Sequence, residues 1–315
     1  MLAMDSAGIA RFEAGRDRLA SLAYRLLGSA ADAEDAVQDA YLRWQAADRT
    51  LIEVPEAWLT KVVTNLCLDR LRSAQARHER AAGDWLPEPL LDGDPMLGPA
   101  ETFEQRESVS LAVLTVMERL SPVERAAYVL REAFAYKHSE IAEILGISTS
   151  ASQQHVHRAR RRVADERRGG EPVDVASARR IVEEFLTAAM SGRTDRLVEM
   201  LTSDVTAVSD GAGMAHRLLR YETPERVSVY VRAGFKSTPA KHKQAGGTPA
   251  LHIVQLNGSP AVVAVVGDHV VGAVTFDLAD GKVAALRGIA NKTRLARLNT
   301  AWRQHEPGTP VIAAW

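Results

Sequence analysis

The spacing of apolar residues changes period once along this chain, and no single-layer fold accommodates both halves. Up to about residue 168 apolar positions recur at helical intervals: Leu19, Leu22, Ala23, Leu26 and Leu27, then Ala33, Val37, Ala40, Tyr41 and Trp44, then Trp58, Leu59, Val62, Val63, Leu66 and Leu71. Gly28 and Ser29 part the first two runs, and Pro55 opens the third. Farther on lie a helix through Ile181, Val182, Phe185, Leu186, Ala189 and Met190, ending at Gly192, and a short one over 196–201. Strand-like runs then occupy 251–256, 261–266, 269–276 and 282–289, with Asn257-Gly258 and Asp280-Gly281 as hairpin turns. The expectation is an all-α front half and an α+β domain behind it. Arg167-Arg-Gly-Gly-Glu-Pro172 marks the boundary.

Within the front half, residues 82–107 break the helical pattern. They hold four prolines and the acids Asp84, Glu88, Asp92, Asp94, Glu101, Glu104 and Glu107 against Arg106 alone. This reads as an acidic linker with one apolar anchor, Trp85-Leu86-Pro87. No apolar run reaches the length of a bilayer span, and Met1–Asp5 carries no export signal, so a cytoplasmic protein is expected. One cysteine, Cys67, excludes an internal disulfide and a multi-cysteine zinc site, and it reads as a core residue. No metal or cofactor is expected.

The net charge of −1 conceals a segregation. Residues 1–150 carry 16 Lys and Arg against 24 Asp and Glu, whereas residues 151–168 carry six Arg against two acids. A basic cluster within an acidic half is an electrostatic footprint for phosphate. It falls on the second helix of a helix-turn-helix. Ser139 is read as the cap of the first helix, with Ile141, Ala142 and Leu145 inward; Gly146 makes the turn and Ser148 caps the second helix. On that helix Ala151, Val156, Ala159 and Val163 face the core, while Gln153, Gln154, His157, Arg158, Arg161 and Arg162 face out. Gln pairs with adenine, and Arg with guanine or phosphate, so this face suits a major groove. A helix over 57–80 interleaves Trp58 and Asn65 with Arg72, Arg77 and Arg80, which suits stacking on unpaired bases, although Trp58 equally suits a core. An acidic helix start, Ala33-Glu34-Asp35-Ala-Val-Gln38-Asp39, complements the helix dipole and offers a polar surface.

Asp32-Ala-Glu-Asp-Ala-Val-Gln38, Trp58…Asn65…Asp69…Arg72, Leu120-Ser-Pro-Val-Glu-Arg125 and Glu140-Ile-Ala…Leu145-Gly…Arg158-Ala-Arg160, in this order, resemble the extracytoplasmic-function (group IV) sigma factors over residues 8–165. The resemblance implies two all-α domains. Region 2, at 8–80, is a helical bundle that binds RNA polymerase core and melts the −10 element. Region 4, at 108–168, reads the −35 element through its helix-turn-helix. Contacts to the polymerase clamp helices and flap are implied, with Glu34, Asp35, Gln38 and Asp39 on the clamp-binding helix. Trp58, Asn65, Arg72 and Arg77 fall at −10 DNA, and Gln153, Gln154, His157, Arg158 and Arg161 at −35 DNA.

Trp85-Leu-Pro-Glu-Pro89, in the linker at 81–107, looks like the signature of the subgroup with a fused SnoaL-like domain, and residues 172–315 resemble that α+β cone. The subgroup's Asp-Gly-Gly-Gly-Lys loop stands here as Asp210-Gly211-Ala-Gly213-Met214, and its Asn-Pro-Asp-Lys-Leu motif as Asn291-Lys-Thr-Arg-Leu295. The implied function is a sigma factor autoregulated in cis. The cone would pack on region 2 and the linker, with the Asp210–Met214 loop near Trp85, Leu86 and Pro87. The alternative is a small-molecule-responsive regulator whose cone binds an unknown ligand or retains enzyme activity, with Asp204, Asp210, His216 and His252 as candidate groups.

Overall fold

The computed structural model describes residues 6–76, 86–98, 105, 108–166, 173–213 and 218–315. They fall into two compact units: 6–76 with 93–166, and 86–92 with 173–315. The boundary between the units therefore cuts through the linker.

In the first unit, α1 (Ser6–Leu27), α2 (Ala30–Ala46) and α3 (Pro55–Ala76) pack together through the apolar stripes read above. Leu19, Leu22, Ala23, Leu26 and Leu27 are all buried. Gly28 ends α1 in the left-handed region, φ 66°, where a Cβ is disfavoured. The Ser29 hydroxyl then accepts the Asp32 N–H and starts α2. Cys67 is fully buried, and burial pushes its thiol up to about 12. Then follow α4 (Leu111–Met117), α5 (Pro122–Glu132), α6 (His138–Leu145) and α7 (Thr149–Glu166). A capping box opens α5: Glu124 donates its N–H to the Ser121 hydroxyl and accepts the Ser121 N–H.

The turn between α6 and α7 follows the sequence, with Gly146 left-handed and the Ser148 hydroxyl accepting the Ala151 N–H. Two details differ. The α6 cap is Lys137, whose N–H is taken by the Glu140 carboxylate, so Ser139 sits inside the helix. Ile144 joins Ile141 and Ala142 in the core, while Leu145, in the last turn of the helix, is only half-buried.

The second unit is built on α8 (Val175–Ser191), α9 (Thr194–Glu199), β1 (Leu201–Ser209), β2 (Leu219–Glu222), α10 (Pro224–Phe235), α11 (Pro239–Ala245), β3 (Ala250–Leu256), β4 (Ser259–Val266), β5 (His269–Ala279), β6 (Lys282–Ile289) and α12 (Ala296–Trp302). The sheet order is β2-β1-β6-β5-β4-β3. The expected meander is β3 to β6, and both of its read turns have positive φ at Asn257-Gly258 and Asp280-Gly281. Beyond it, β1 joins β6 in parallel. Its burial alternates only from Val205 to Ser209, with Thr202, Ser203 and Asp204 outside the core, and the buried positions there include small Ala207 and polar Ser209, so period-2 reading passed it over. Val182, Phe185 and Leu186 of α8 meet Phe276, Val262 and Leu286 of the sheet in one apolar cluster, with Phe185 edge-on to Phe276. Met190 is exposed, and Ala188 is buried instead.

Candidate nucleic-acid interface and its restraints

On α7, Gln153, Gln154, His157, Arg158 and Arg161 are exposed on one face, while Val156, Ala159 and Val163 are buried. The arginines differ in their partners. Arg158 donates through Nε to Glu124 Oε1 at 2.8 Å and lies 2.8 Å through Nη2 from His155 Nδ1. Arg162 reaches Glu124 Oε2 at 3.3 Å, and Arg160 pairs with Glu132 at 2.8 Å. Arg161 has no ion-pair partner among the described residues. The basic cluster read from sequence is thus partly neutralised by two acids of α5. Burial alone would raise the Glu124 carboxyl, but hydrogen bonds from Arg158 and Ser121 outweigh it and hold the group below its ordinary range.

On α2, Glu34, Asp35 and Gln38 are exposed, whereas Asp39 accepts Arg70 Nη2 at 2.7 Å and is held against α3. Along α3, Trp58 is half-buried, tilted against Trp44 at 5.8 Å, and Asn65 is half-buried as well. Arg72 is exposed beside Asp69. Arg77, Arg80 and Trp85 lie outside the described residues. Sequence reasoning passed over Leu51 and Val54, exposed apolar side chains at the entry to α3.

It also missed what α3 packs on. In the first unit α3 lies against α5 and α6, so the candidate −10 helix touches the helix-turn-helix. The turn Phe134-Ala135-Tyr136 makes the joint, with Ala135 at φ 56°. The Arg18 guanidinium of α1 lies 5.1 Å from the Phe134 ring centroid and 5.5 Å from that of Tyr136. It donates to Tyr136 Oη at 3.2 Å and to Thr60 Oγ1 at 3.4 Å, and those two oxygens are 3.0 Å apart. Nearby, buried Arg25 donates to Ser108 Oγ at 3.1 Å and to the Leu97 carbonyl at 2.8 Å, tying residues 95–98 to α1.

Residues 86–92 belong to the other unit. Leu86, Leu90 and Leu91 are buried, and Leu91 bridges Leu256 as an antiparallel addition to edge strand β3. Leu90 donates its N–H to Asn257 Oδ1 at 2.8 Å and accepts the Asn257 N–H at 3.0 Å. Asp92 donates its N–H to the Gln255 carbonyl and accepts the Gly258 N–H at 2.8 Å. Burial raises the Asp92 carboxyl, and the Gly258 hydrogen bond offsets part of that.

The linker is therefore held by the cone, through Leu90 to Asp92 at the β3–β4 turn, with Leu86 and Pro87 buried in the same unit. Asp210, Gly211 and Gly213 lie at the other end of the sheet and four strands across it. Asp210 is occupied there, accepting N–H groups from Ala212, Ala290 and Asn291. The expected pairing of that loop with the linker gives way to strand addition, because β3 offers unpaired backbone and Asp210 is already satisfied. Met214 and His216 lie outside the described residues.

The candidate catalytic groups do not converge either. Asp204 is exposed on β1, while His252 lies edge-on to Trp302 on β3. No cluster of three metal-ligating side chains occurs among the described residues, and no described helix is long and apolar enough to cross a membrane.

Residues 12–77 match the Sigma-70 region 2 family model, and residues 110–163 match Sigma-70 region 4. Among curated proteins, the ECF RNA polymerase sigma factor SigJ of Mycobacterium tuberculosis is 42% identical over 214 residues, 67% of this chain and 68% of that one. The probable sigma factor SigI of the same species is 30% identical over 293 residues, 91% and 94% of the two chains. The crystal structure of Mycobacterium tuberculosis SigJ superposes with a TM-score of 0.68 at 32% identity, covering 92% of this chain and 98% of that one.

Proposed function

The chain belongs to the extracytoplasmic-function sigma factors of RNA polymerase, and from that premise we propose that its described arrangement is a closed state which polymerase must open before both promoter elements can be read. As a sigma factor it directs core polymerase to promoters. Region 2 would engage core through Glu34, Asp35 and Gln38 and melt the −10 element with α3. Region 4 would read the −35 element with the exposed face of α7.

One geometric fact carries the proposal: α3 is packed directly on α5 and α6. Elements centred at −10 and −35 are some 25 base pairs apart, about 85 Å of B-form duplex. A compact unit of about 150 residues has a radius of gyration near 15 Å and is about 40 Å across. It cannot touch both sites at once.

The restraint is of a strength that binding can overcome. Arg18 contributes two cation–π contacts, each about 0.5–1 kcal/mol at an exposed site. The hydrogen bonds around Tyr136 add about 1 kcal/mol apiece. Reversing a 99:1 preference takes roughly 5.5 kcal/mol of differential affinity, which a polymerase interface supplies. We assign the cone a restraining role on the linker rather than a reaction. What supports this is the docked segment 86–92, together with the dispersal of Asp204, Asp210 and His252.

The test is a distance measurement in the full-length chain, with dyes on cysteines introduced at Arg43 of α2 and at Glu143, exposed on α6 away from the reading face; buried Cys67 leaves the native thiol out of the labelling. The free chain should give a short distance, and the complex with core polymerase and promoter one above about 60 Å. Arg18→Ala should shift the free chain toward the long distance. A free chain already extended, or a promoter complex still compact, refutes the closed-state reading.

A further inference from the structure

Glu124 lies on none of the surfaces assigned to DNA, yet it holds two arginines of the recognition helix. Its side chain is 9% exposed, and its carboxylate accepts four hydrogen bonds: Ser121 N–H at 3.1 Å, Ser121 Oγ at 2.9 Å, Arg158 Nε at 2.8 Å and Arg162 Nη1 at 3.3 Å. The first two fix the carboxylate on the first turn of α5, so it cannot follow a mobile partner. Arg158 is then held at both sides, by Glu124 at Nε and by His155 at Nη2.

A guanidinium has five N–H groups in a fixed plane, and it can grip a guanine or phosphate side-on through Nε and Nη or end-on through Nη1 and Nη2. With Nε on Glu124 and one Nη2 hydrogen on His155, the side-on grip is closed, and Nη1 with the second Nη2 hydrogen is left as the terminal edge. An unrestrained arginine must also lose the freedom of a long, rotamer-rich side chain when it binds. The pairing removes most of that loss beforehand, much as groups behind a metal ligand fix its orientation.

We infer that Glu124 is a positioning residue for −35 recognition: it presents Arg158 end-on to the major groove, and it keeps Arg158 and Arg162 from acting as general phosphate-seeking charges. This rests on the reading of α7 as the −35 helix. It predicts two opposite effects from one change. Losing the carboxylate should loosen Arg158 and weaken discrimination. It should also unmask positive charge and strengthen binding to unrelated DNA.

Glu124→Gln separates this from a capping role, because glutamine still serves in a Ser-x-x-Gln capping box. The experiment uses full-length chain with core polymerase, and scores transcription from promoters carrying each single −35 substitution. Affinity of the same chain for a duplex lacking the promoter is measured in parallel across a salt series. Glu124→Gln should reduce discrimination at the Arg158-dependent base pair by about tenfold. It should tighten binding to unrelated duplex about two- to fivefold, with a steeper salt dependence. Ser121→Ala, which removes the cap hydroxyl and leaves the arginines, should lower the melting temperature without changing either readout.

If Arg158→Ala flattens the −35 profile while Glu124→Gln leaves profile and salt slope unchanged, the positioning role is wrong and the promoter reading of α7 stands. If Arg158→Ala also leaves the profile unchanged, Arg158 is not a reader, and that assignment falls with the inference. If Ser121→Ala also loses discrimination, in step with its melting temperature and as far as Glu124→Gln does, Glu124 is reduced to a cap.

Discussion

Asn257 is where the hold of the cone on the linker can be measured. It is fully buried at φ 53°; its Oδ1 accepts the Leu90 N–H, and its own N–H goes to the Leu90 carbonyl. Asn257→Gly keeps the turn, since glycine adopts this φ without penalty, and deletes one acceptor. The Leu90 N–H is then left in a site where Leu90 is itself fully buried. An orphaned buried donor costs about 1–3 kcal/mol. At about 1.4 kcal/mol per decade, the undocked linker becomes some five- to 150-fold more populated. Asn257→Ala adds about 1–2 kcal/mol of left-handed strain on top. Hydrogen exchange over residues 86–92 in the full-length chain reads this directly. Exchange there should accelerate by that factor in the glycine variant and more in the alanine variant, while strands β4 to β6 keep their protection. Transcription with limiting core polymerase should rise in the same order. Unchanged exchange at 86–92 in both variants would mean that the Leu90–Asn257 pair does not hold the linker, and the argument for restraint by the cone would fail with it.

Gly98→Ala should destabilise the first unit by about 2 kcal/mol or more, because φ 69° with ψ −175° is a conformation reserved for glycine. The new Cβ would also stand 2.5 Å from Ser21 Oγ; thermal melting checks it, and an unchanged midpoint refutes it. Cys67 should resist a charged thiol reagent in the native chain and react stoichiometrically in denaturant, given full burial and a thiol pushed up to about 12. Burial first, and neighbouring arginines second, hold His138 and His155 below the ordinary histidine range. The unfolded chain then binds more protons than the fold below about pH 6.5, so stability should fall as pH drops through that value. The double variant His138→Gln, His155→Gln should flatten this fall, and an identical pH slope in melting experiments would count against it.

Much of the architecture was legible because local chemistry and tertiary role coincide. Ser29, Gly146 and Ser148 do in the fold what caps and turn residues do in any peptide, and Asn257-Gly258 is a turn wherever strands flank it. The failures are of a different kind. β1 carries only a short alternation, built on Val205, Ala207 and Ser209, because its first half leaves the core, and its partner β6 is some eighty residues away. The linker looked irregular because its prolines and acids say nothing about which edge strand it will join. Arg158, Arg160 and Arg162 read as free charge, since their partners Glu124 and Glu132 lie on another helix and nothing local announces the pairing. The Ser-x-x-Glu spacing from Ser121 to Glu124 announces only the local duty of the carboxylate as a cap. The contact of Arg18 with Phe134 and Tyr136 joins positions more than a hundred residues apart, and no periodicity encodes it.

The outer edge of β3 is closed by two pieces of the same chain laid end to end. Val311 and Ile312 bond Leu251 at one end, and Leu90 to Asp92 bond Gln255 and Asn257 at the other. Sheet edges left bare are adhesive, because each unpaired N–H and C=O templates another strand. Freeing the linker therefore does more than slacken a tether. It strips the cover from half of an edge next to buried leucines, and the freed segment carries its own strand-forming backbone away with it. Two such molecules could exchange segments, each closing the edge of the other, which is the geometry of a swapped dimer. The freed form is thus short-lived as a monomer. At low concentration its own linker wins the edge back, and at high concentration a neighbour does, so release from this sheet limits its own duration unless polymerase captures the opened chain first.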